Sequence, residues 1–280
     1  MSVATPIISV ITDEVSQDPA TFLAFMAAHR VTTVDIRAVE DRNVILFDDA
    51  ALDALAARVH DAGLTISCYC SPLLKWPRAG HSTTAGEANF HGFDPSDLPP
   101  EEAIPRAFEV ANRLSASRLR IFSYLQYDGF TPEHLDDDLD QLLALAEAHD
   151  VTLLLENEPV CNAITLADIT AICTRRNHPR LKGVLDIANH MSVGHPAPSE
   201  GEIAAAAGIA GGVHVKDFNA EHRYVSLGQG IVPQQGPLTT ILADAPTGPL
   251  PISIETHRPD DGPAVTAASL QALREMLGPL

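Results

Sequence analysis

The chain has 280 residues, 45% of them apolar, which is enough to bury a sizeable core and too apolar for a disordered segment. Its formal net charge of −19 opposes binding to a nucleic-acid backbone or an anionic membrane surface, where cationic patches do the work. No apolar stretch approaches the ~20 residues a membrane-spanning helix needs, and "MSVATPIISVITDEV" lacks the basic start of a signal peptide, so the expected location is the cytoplasm.

In chain order, short β-rich runs alternate with helical patterns. "IISVIT" (7–12) reads as the first strand and "PATFLAFMAAHR" as the helix after it. "TTVDIR" (32–37) precedes "DDAALDALAARVHDAG", which ends on a glycine stop. "TISCYC" (65–70) is the third strand. Its helix, "EEAIPRAFEVANRL", contains Pro105, which leaves its early part open. "RLRIFS" (118–123) leads to "TPEHLDDDLDQLLALAEAHD", with Leu135, Leu139, Leu142 and Ala146 on one face and Asp136 to Asp138 and Asp140 facing solvent. "VTLLLE" (151–156), "KGVLDI" (182–187), "GGVHVK" (211–216) and "PISIET" (251–256) complete the strands. "TLADITAICTRR", "EGEIAAAAGIA", "PLTTILADA" and "PAVTAASLQALREML" are their helices.

Strand–helix alternation with short connections implies a parallel sheet. Eight units in 280 residues fit an α/β fold made of one closed (β/α)₈ barrel spanning residues 1–280 as a single domain. An open doubly wound sheet is the alternative, but "TDEVSQDP" after the first strand has no glycine-rich fingerprint. One connection is long: residues 71–98 hold the only tryptophan, Trp76, with Lys75, His81 and His91. It reads either as a lid over the site or as a surface loop. Cys68, Cys70, Cys161 and Cys173 fit no zinc-finger spacing or disulfide framework and are read as packing residues.

A (β/α)₈ barrel places its active site at the C-terminal ends of its strands. Strand five ends in Glu156. Strand six ends with Asp186, Asn189 and His190, strand seven with His214, Lys216 and Asp217, and strand eight with Glu255 and His257. Any one of these has a bland reading, since a strand-end aspartate caps helices and a strand histidine is usually a core residue. Four consecutive strands would bring Glu, Asp, His and Glu to one mouth. Three carboxylates there repel unless a cation sits among them. The donor set points to one divalent metal ion, Mn²⁺ or Mg²⁺ first, with Co²⁺, Fe²⁺ or Zn²⁺ also compatible.

"ISVITDEVSQD", "VDIRAVEDRNV", "SPLLK", "HVKDF…LGQG" and "ISIET" together resemble the xylose-isomerase-like TIM barrel superfamily of sugar isomerases and epimerases over essentially the whole chain. The resemblance implies metal ligands Glu156, Asp186, His214 and Glu255, with Glu156 and Glu255 also the catalytic acid–base pair. It departs from the pattern at Asn189, where many members carry histidine; His190 comes one later.

The implied reaction is isomerisation or epimerisation of a sugar or sugar-like keto acid by proton transfer through a metal-stabilised enediolate. Arg37, Asn43, Lys75, Arg120, Asn189, His190, Lys216 and His257 are read as lining the substrate. Each has a bland alternative, such as an ion pair or turn for Arg37 and Asn43. Glu158 is read as orienting a neighbouring ligand, and Lys216 and Asp217 as a pair in their own right. Asp260 and Asp261, near the usual phosphate position, favour an unphosphorylated substrate. The rivals are a lyase or dehydratase acting on a dehydroshikimate-like acid, an endonuclease on the same barrel, and a non-catalytic sugar-binding protein. A dimer or tetramer is an expectation of the resemblance.

Overall fold

The computed structural model describes residues 4–278. Eight parallel strands close into a barrel: β1 (Thr5–Ile11), β2 (Thr33–Ile36), β3 (Thr65–Tyr69), β4 (Arg118–Ile121), β5 (Thr152–Glu156), β6 (Leu181–Asp186), β7 (Ala210–Val215) and β8 (Pro249–Ile254). Each pairs with its neighbours in sequence, and β8 closes on β1 with Ile8 beside Ile252 and Val10 beside Ile254. All eight strands fall where the sequence pattern predicts them, within a few residues.

The outer ring holds α1 (Pro19–His29), α2 (Asp49–Asp61), α3 (Pro100–Arg113), α4 (Asp136–Ala148), α5 (Leu166–Arg176), α6 (Ile187–Ser192), α7 (Glu200–Ala207), α8 (Gln235–Asp244) and α9 (Gly262–Leu277). Their starts follow local capping chemistry. Asp18 accepts from the Thr21 N–H at 2.9 Å, and Thr165 with Asp168 and Ser199 with Glu202 form reciprocal capping boxes. Pro105 does not break α3: it lies near the helix start on the exposed face, so the carbonyl it leaves unpaired meets water. The short helix α6, directly after β6, goes beyond the predicted elements.

Strands buried on both faces read as continuous apolar runs, and β5 is the clearest case. Most apolar side chains fill the layer between strands and helices. Inside the barrel, Ile11, Cys68, Cys70, Leu154 and Val184 form a separate small cluster. All four cysteines are free and buried, as expected of packing residues. Among the described residues no helix is long and apolar enough to cross a membrane.

The long connection is partly built into the body. Leu73, Leu74 and Trp76 are buried, and their carbonyls accept from Phe122, Tyr124 and Leu125 N–H groups beyond β4. The chain crosses exposed residues and returns at Gly92, whose carbonyl accepts from Asn43 N–H at 3.0 Å.

The start of α9 lies hard against the turn after β1. A Cβ on Gly262 would stand 2.5 Å from the Glu14 carbonyl oxygen and 2.7 Å from that of Val15. Gly262→Ala should therefore lower stability by about 1–3 kcal/mol, the usual cost of overpacking, as read by urea unfolding. An unchanged unfolding midpoint would show that this approach is not tight.

Candidate active site

The inward-facing ends of β5 to β8 converge as the alternation of strand side chains requires. β6 and β7 are in register with Asp186 beside His214. Glu255 follows β8, its N–H held by the Val215 carbonyl at 3.1 Å. Glu156, Asp186, His214 and Glu255 are all buried, and one donor atom from each lies within 4.8 Å of the others. Donors each about 2.1 Å from one ion lie up to about 4.2 Å apart, so the cluster is near the span a single divalent ion imposes. Glu156 Oε2 and Asp186 Oδ2 lack a well-aligned hydrogen bond despite being buried. Such oxygens are what an ion-binding site holds in reserve, and the donor set fits a divalent cation.

Cations of the chain itself hold the carboxylates together. Lys216 Nζ is 2.9 Å from Asp186 Oδ2 and 2.6 Å from Glu255 Oε2. Arg120 stands 3.0 Å from Glu156 Oε2, and His214 Nδ1 is 2.8 Å from Glu156 Oε1 and 3.5 Å from Glu255 Oε2. Arg37 ties Glu255 (2.6 Å), Asp13 (2.9 Å) and Glu14 (2.5 Å) into one buried network. Five carboxylates thus face three permanent cations, with His214 as a fourth when protonated.

The electrostatic consequences follow. Burial pushes the Glu156 carboxyl up, but His214 and Arg120 outweigh it and hold it at about 2. Glu255 is likewise held well below the usual range against burial, by Lys216 and His257. Asp186 goes the other way: burial raises it more than Lys216 lowers it. Burial would lower His214 and Lys216, yet Glu156 raises the first and Asp186 with Glu255 the second.

Asp186 does two things at once. Its Oδ1 caps α6 by accepting from Asn189 N–H at 2.7 Å, while Oδ2 faces Lys216. Asn157 fixes the β6 end: its Oδ1 accepts from Asp186 N–H at 2.9 Å and its Nδ2 donates to the Asp186 carbonyl at 2.8 Å. The supporting residue beside Glu156 is therefore Asn157. Glu158, expected to orient a ligand, pairs with Lys75 at 3.4 Å instead.

The expected Lys216–Asp217 pair is also corrected. Lys216 points into the mouth. Asp217 turns away and accepts N–H groups from Phe218 (2.9 Å), Gly228 (3.0 Å), Gly230 (2.8 Å) and Val232 (3.1 Å). The "LGQG" loop is thus a backbone nest whose anion is the chain's own carboxylate. Gly230 has no room for a Cβ because Asp217 and the Phe218 carbonyl occupy it.

Of the other residues read as substrate-lining, Arg37 and His257 border a cavity of about 390 Å³ at the mouth, with Asp13, Glu14 and Gln17. Asn89, His91 and Gly92 of the long connection border it too, so that loop covers part of the mouth. His257 Nε2 is 3.2 Å from Lys216, and its ring stacks on Tyr224. Lys75 and Arg120 flank the Phe122 ring at 4.9 and 4.7 Å. Asn43 accepts from Ile45 N–H and the Tyr69 hydroxyl, an internal turn role. Asn189 donates to the Asn157 carbonyl, and His190 Nδ1 accepts from Leu166 N–H at 3.3 Å. Their side chains are engaged by the fold. The expectation missed Asp13 and Glu14, although "ITDEV" places them at the end of β1, where the strand-end argument applies equally.

Glu156 contributes stability that is present above its unfolded value of 4.5 and lost as pH falls through about 2. Glu156→Gln should cost about 3 kcal/mol at pH 7. The gap to wild type should narrow between pH 4.5 and 2, followed by chemical denaturation at each pH. A gap independent of pH would sink this account.

The barrel fold agrees with what the chain is similar to. No curated protein matches it by sequence. Among solved structures, the IOLI protein with a binding zinc atom shares 15% identity and a TM-score of 0.71, covering 97% of this chain and 96% of its own. A D-allulose 3-epimerase from Methylomonas sp. shares 17% and 0.70, covering 99% and 100%. A probable 3-DHS dehydratase, AsbF from Bacillus anthracis, shares 16% and 0.67, covering 95% and 98%. At these identities the likeness is one of fold. The family model of the xylose isomerase-like TIM barrel matches residues 23–276, and the chain belongs to that family.

Proposed function

We propose that the protein is a divalent-metal-dependent isomerase or epimerase of an unphosphorylated sugar or sugar-like keto acid. The observation that carries this reading is the buried convergence of Glu156, Asp186, His214 and Glu255 beneath an open mouth. These four residues would hold the ion, Mn²⁺ or Mg²⁺ first, though zinc accompanies the IOLI protein. Bound there, the ion would act as a Lewis acid on the carbonyl and neighbouring hydroxyl oxygens of the substrate.

The chain's own groups then handle the proton. Glu156, from β5, and Glu255, after β8, both approach His214 Nδ1, and both are held ionised. Glu156 is in the protonation state a base needs to take the C–H proton next to the carbonyl. Glu255 cannot return a proton it does not hold, so a neighbour that holds one must supply it: Lys216 at 2.6 Å, with the His257 ring at 3.4 Å on the same carboxylate oxygen. Arg37 keeps Glu255 in place from the far side.

Two features support an unphosphorylated substrate. The backbone donors of the β7 loop are already satisfied by Asp217. The cavity is bordered by Asp13, Glu14 and Asp41, while Arg37 is fully engaged by carboxylates. A dehydratase reading comes second, favoured by the whole-chain likeness to the 3-DHS dehydratase.

The test is a panel of ketoses, aldoses and keto acids incubated with the metal-loaded protein in D₂O. Solvent deuterium should enter the carbon next to the carbonyl. Glu156→Gln and Glu255→Gln should each lose about 10²–10⁴-fold in rate. Activity unchanged in both variants would refute the pair, and loss of water from a keto acid would favour the dehydratase. Millimolar inorganic phosphate at constant ionic strength should leave the rate unchanged; competitive inhibition would contradict the unphosphorylated class.

A further inference from the structure

At the opposite end of the barrel from the carboxylates lies a second cavity of about 400 Å³. Arg118, Arg180, Lys182, Asp150, Thr152 and Gly211 line it. Strand alternation explains how charge reaches this place. Side chains two residues apart share a face. Arg118, Thr152 and Lys182 lie two positions before Arg120, Leu154 and Val184. Arg120 faces Glu156 in the mouth, and Leu154 and Val184 belong to the cluster inside the barrel. The three therefore form the lowest inward layer of β4, β5 and β6. Barrel interiors are usually filled there by bulky branched residues. Here one strand contributes arginine, one threonine and one lysine, and β7 contributes glycine. A Cβ on Gly211 would stand 2.6 Å from Lys182 Cβ and 2.6 Å from Leu154 Cδ2, so the glycine leaves the space that the lysine stem uses.

The charges there are unbalanced. The chain has 18 Lys and Arg against 37 Asp and Glu, yet three bases and one acid meet at this floor. Asp150 is 91% exposed and is already taken by Arg180 at 2.6 Å. Arg180 also donates to the Val151 carbonyl at 3.2 Å, whereas among the described residues Arg118 reaches the Ser117 hydroxyl and the Pro249 carbonyl, each at a long 3.4 Å. The Lys182 ammonium has no hydrogen-bond or carboxylate partner among the described residues, although the residue is half-buried. Arg118 and Lys182 thus share this half-buried floor with no carboxylate partner of their own among the described residues, and like charges so placed repel one another unless an anion joins them. Arginine forks match the tetrahedral oxygens of phosphate, and lysine adds a point charge.

We propose that the barrel floor is an anion site for a phosphoryl group, held by Arg118, Arg180 and Lys182. The cavity volume leaves room for a small organic substituent on that phosphate. The site is separate from the mouth and does not depend on the reaction assigned there.

Inorganic phosphate, pyrophosphate and ribose 5-phosphate serve as probes, titrated into the full chain at ionic strength held constant with sodium chloride. Thermal unfolding and calorimetric titration are the readouts. At least one probe should raise the melting temperature in a saturable way. Lys182→Gln and Arg118→Gln should each weaken its binding about ten-fold or more, while Lys182→Arg should retain it. Tighter binding of ribose 5-phosphate than of phosphate identifies an ester as the ligand; the reverse identifies the free ion. Each variant's own melting temperature sets its baseline. No stabilisation beyond sodium chloride overturns the proposal. So does equal affinity in wild type and both Gln variants, or binding lost in Glu156→Gln and kept in the floor variants.

Discussion

Buried charge that must be neutralised is the constraint on which the mouth of this barrel depends. Asp13, Glu14, Glu156, Asp186 and Glu255 sit almost wholly out of water. An isolated carboxylate there would be prohibitively costly. Arg37, Arg120 and Lys216 offset that cost, and they do so by linking strands that are distant in sequence. Arg37, after β2, grips residues following β1 and β8, so it pins the seam where the barrel closes. Lys216 joins the β6 and β8 ends, and Arg120 joins β4 to β5. Removing one partner from such a network costs more than the net worth of the pair, because the other charge is left buried alone.

The same network shapes the chemistry. It keeps Glu156 and Glu255 ionised and sets the Lys216 ammonium 2.6 Å from Glu255. It also engages the cations of the mouth, since Arg37, Arg120 and Lys216 all pair with carboxylates. The "HVKDF…LGQG" segment shows this economy most directly. Lys216 serves the carboxylates, and Asp217 closes the backbone nest that could have held an external anion. At the opposite end of the barrel, by contrast, the Lys182 ammonium has no hydrogen-bond or carboxylate partner among the described residues.

Much of the fold and of the central cluster was legible in the chain. Each strand is a short apolar run between turn signals, and strand alternation with a known active end brings Glu156, Asp186, His214 and Glu255 to one mouth. Several assignments beside them could not be read from spacing. In "ENEP", Glu156 faces inward, Asn157 supports its neighbour and Glu158 meets Lys75. Side chains past a strand end no longer alternate dependably, so their partners depend on the loop. Lys216 and Asp217 are adjacent but point to different surroundings for the same reason. Asn43, Asn189 and His190 looked available because a sequence does not show which backbone groups need a partner.

What the sequence by itself determined is periodicity: eight strands, the helices between them, their capped starts, and which residues stand at the ends of strands. These are local properties, set by side-chain spacing and backbone hydrogen bonding within a few residues. Only the tertiary structure decided which charge answers which. Arg37 and Glu255 are 218 residues apart yet lie at 2.6 Å, and no local pattern encodes that distance. It arises when the barrel closes, because closure removes water from the mouth and forces every charge left there to find a partner across the sheet.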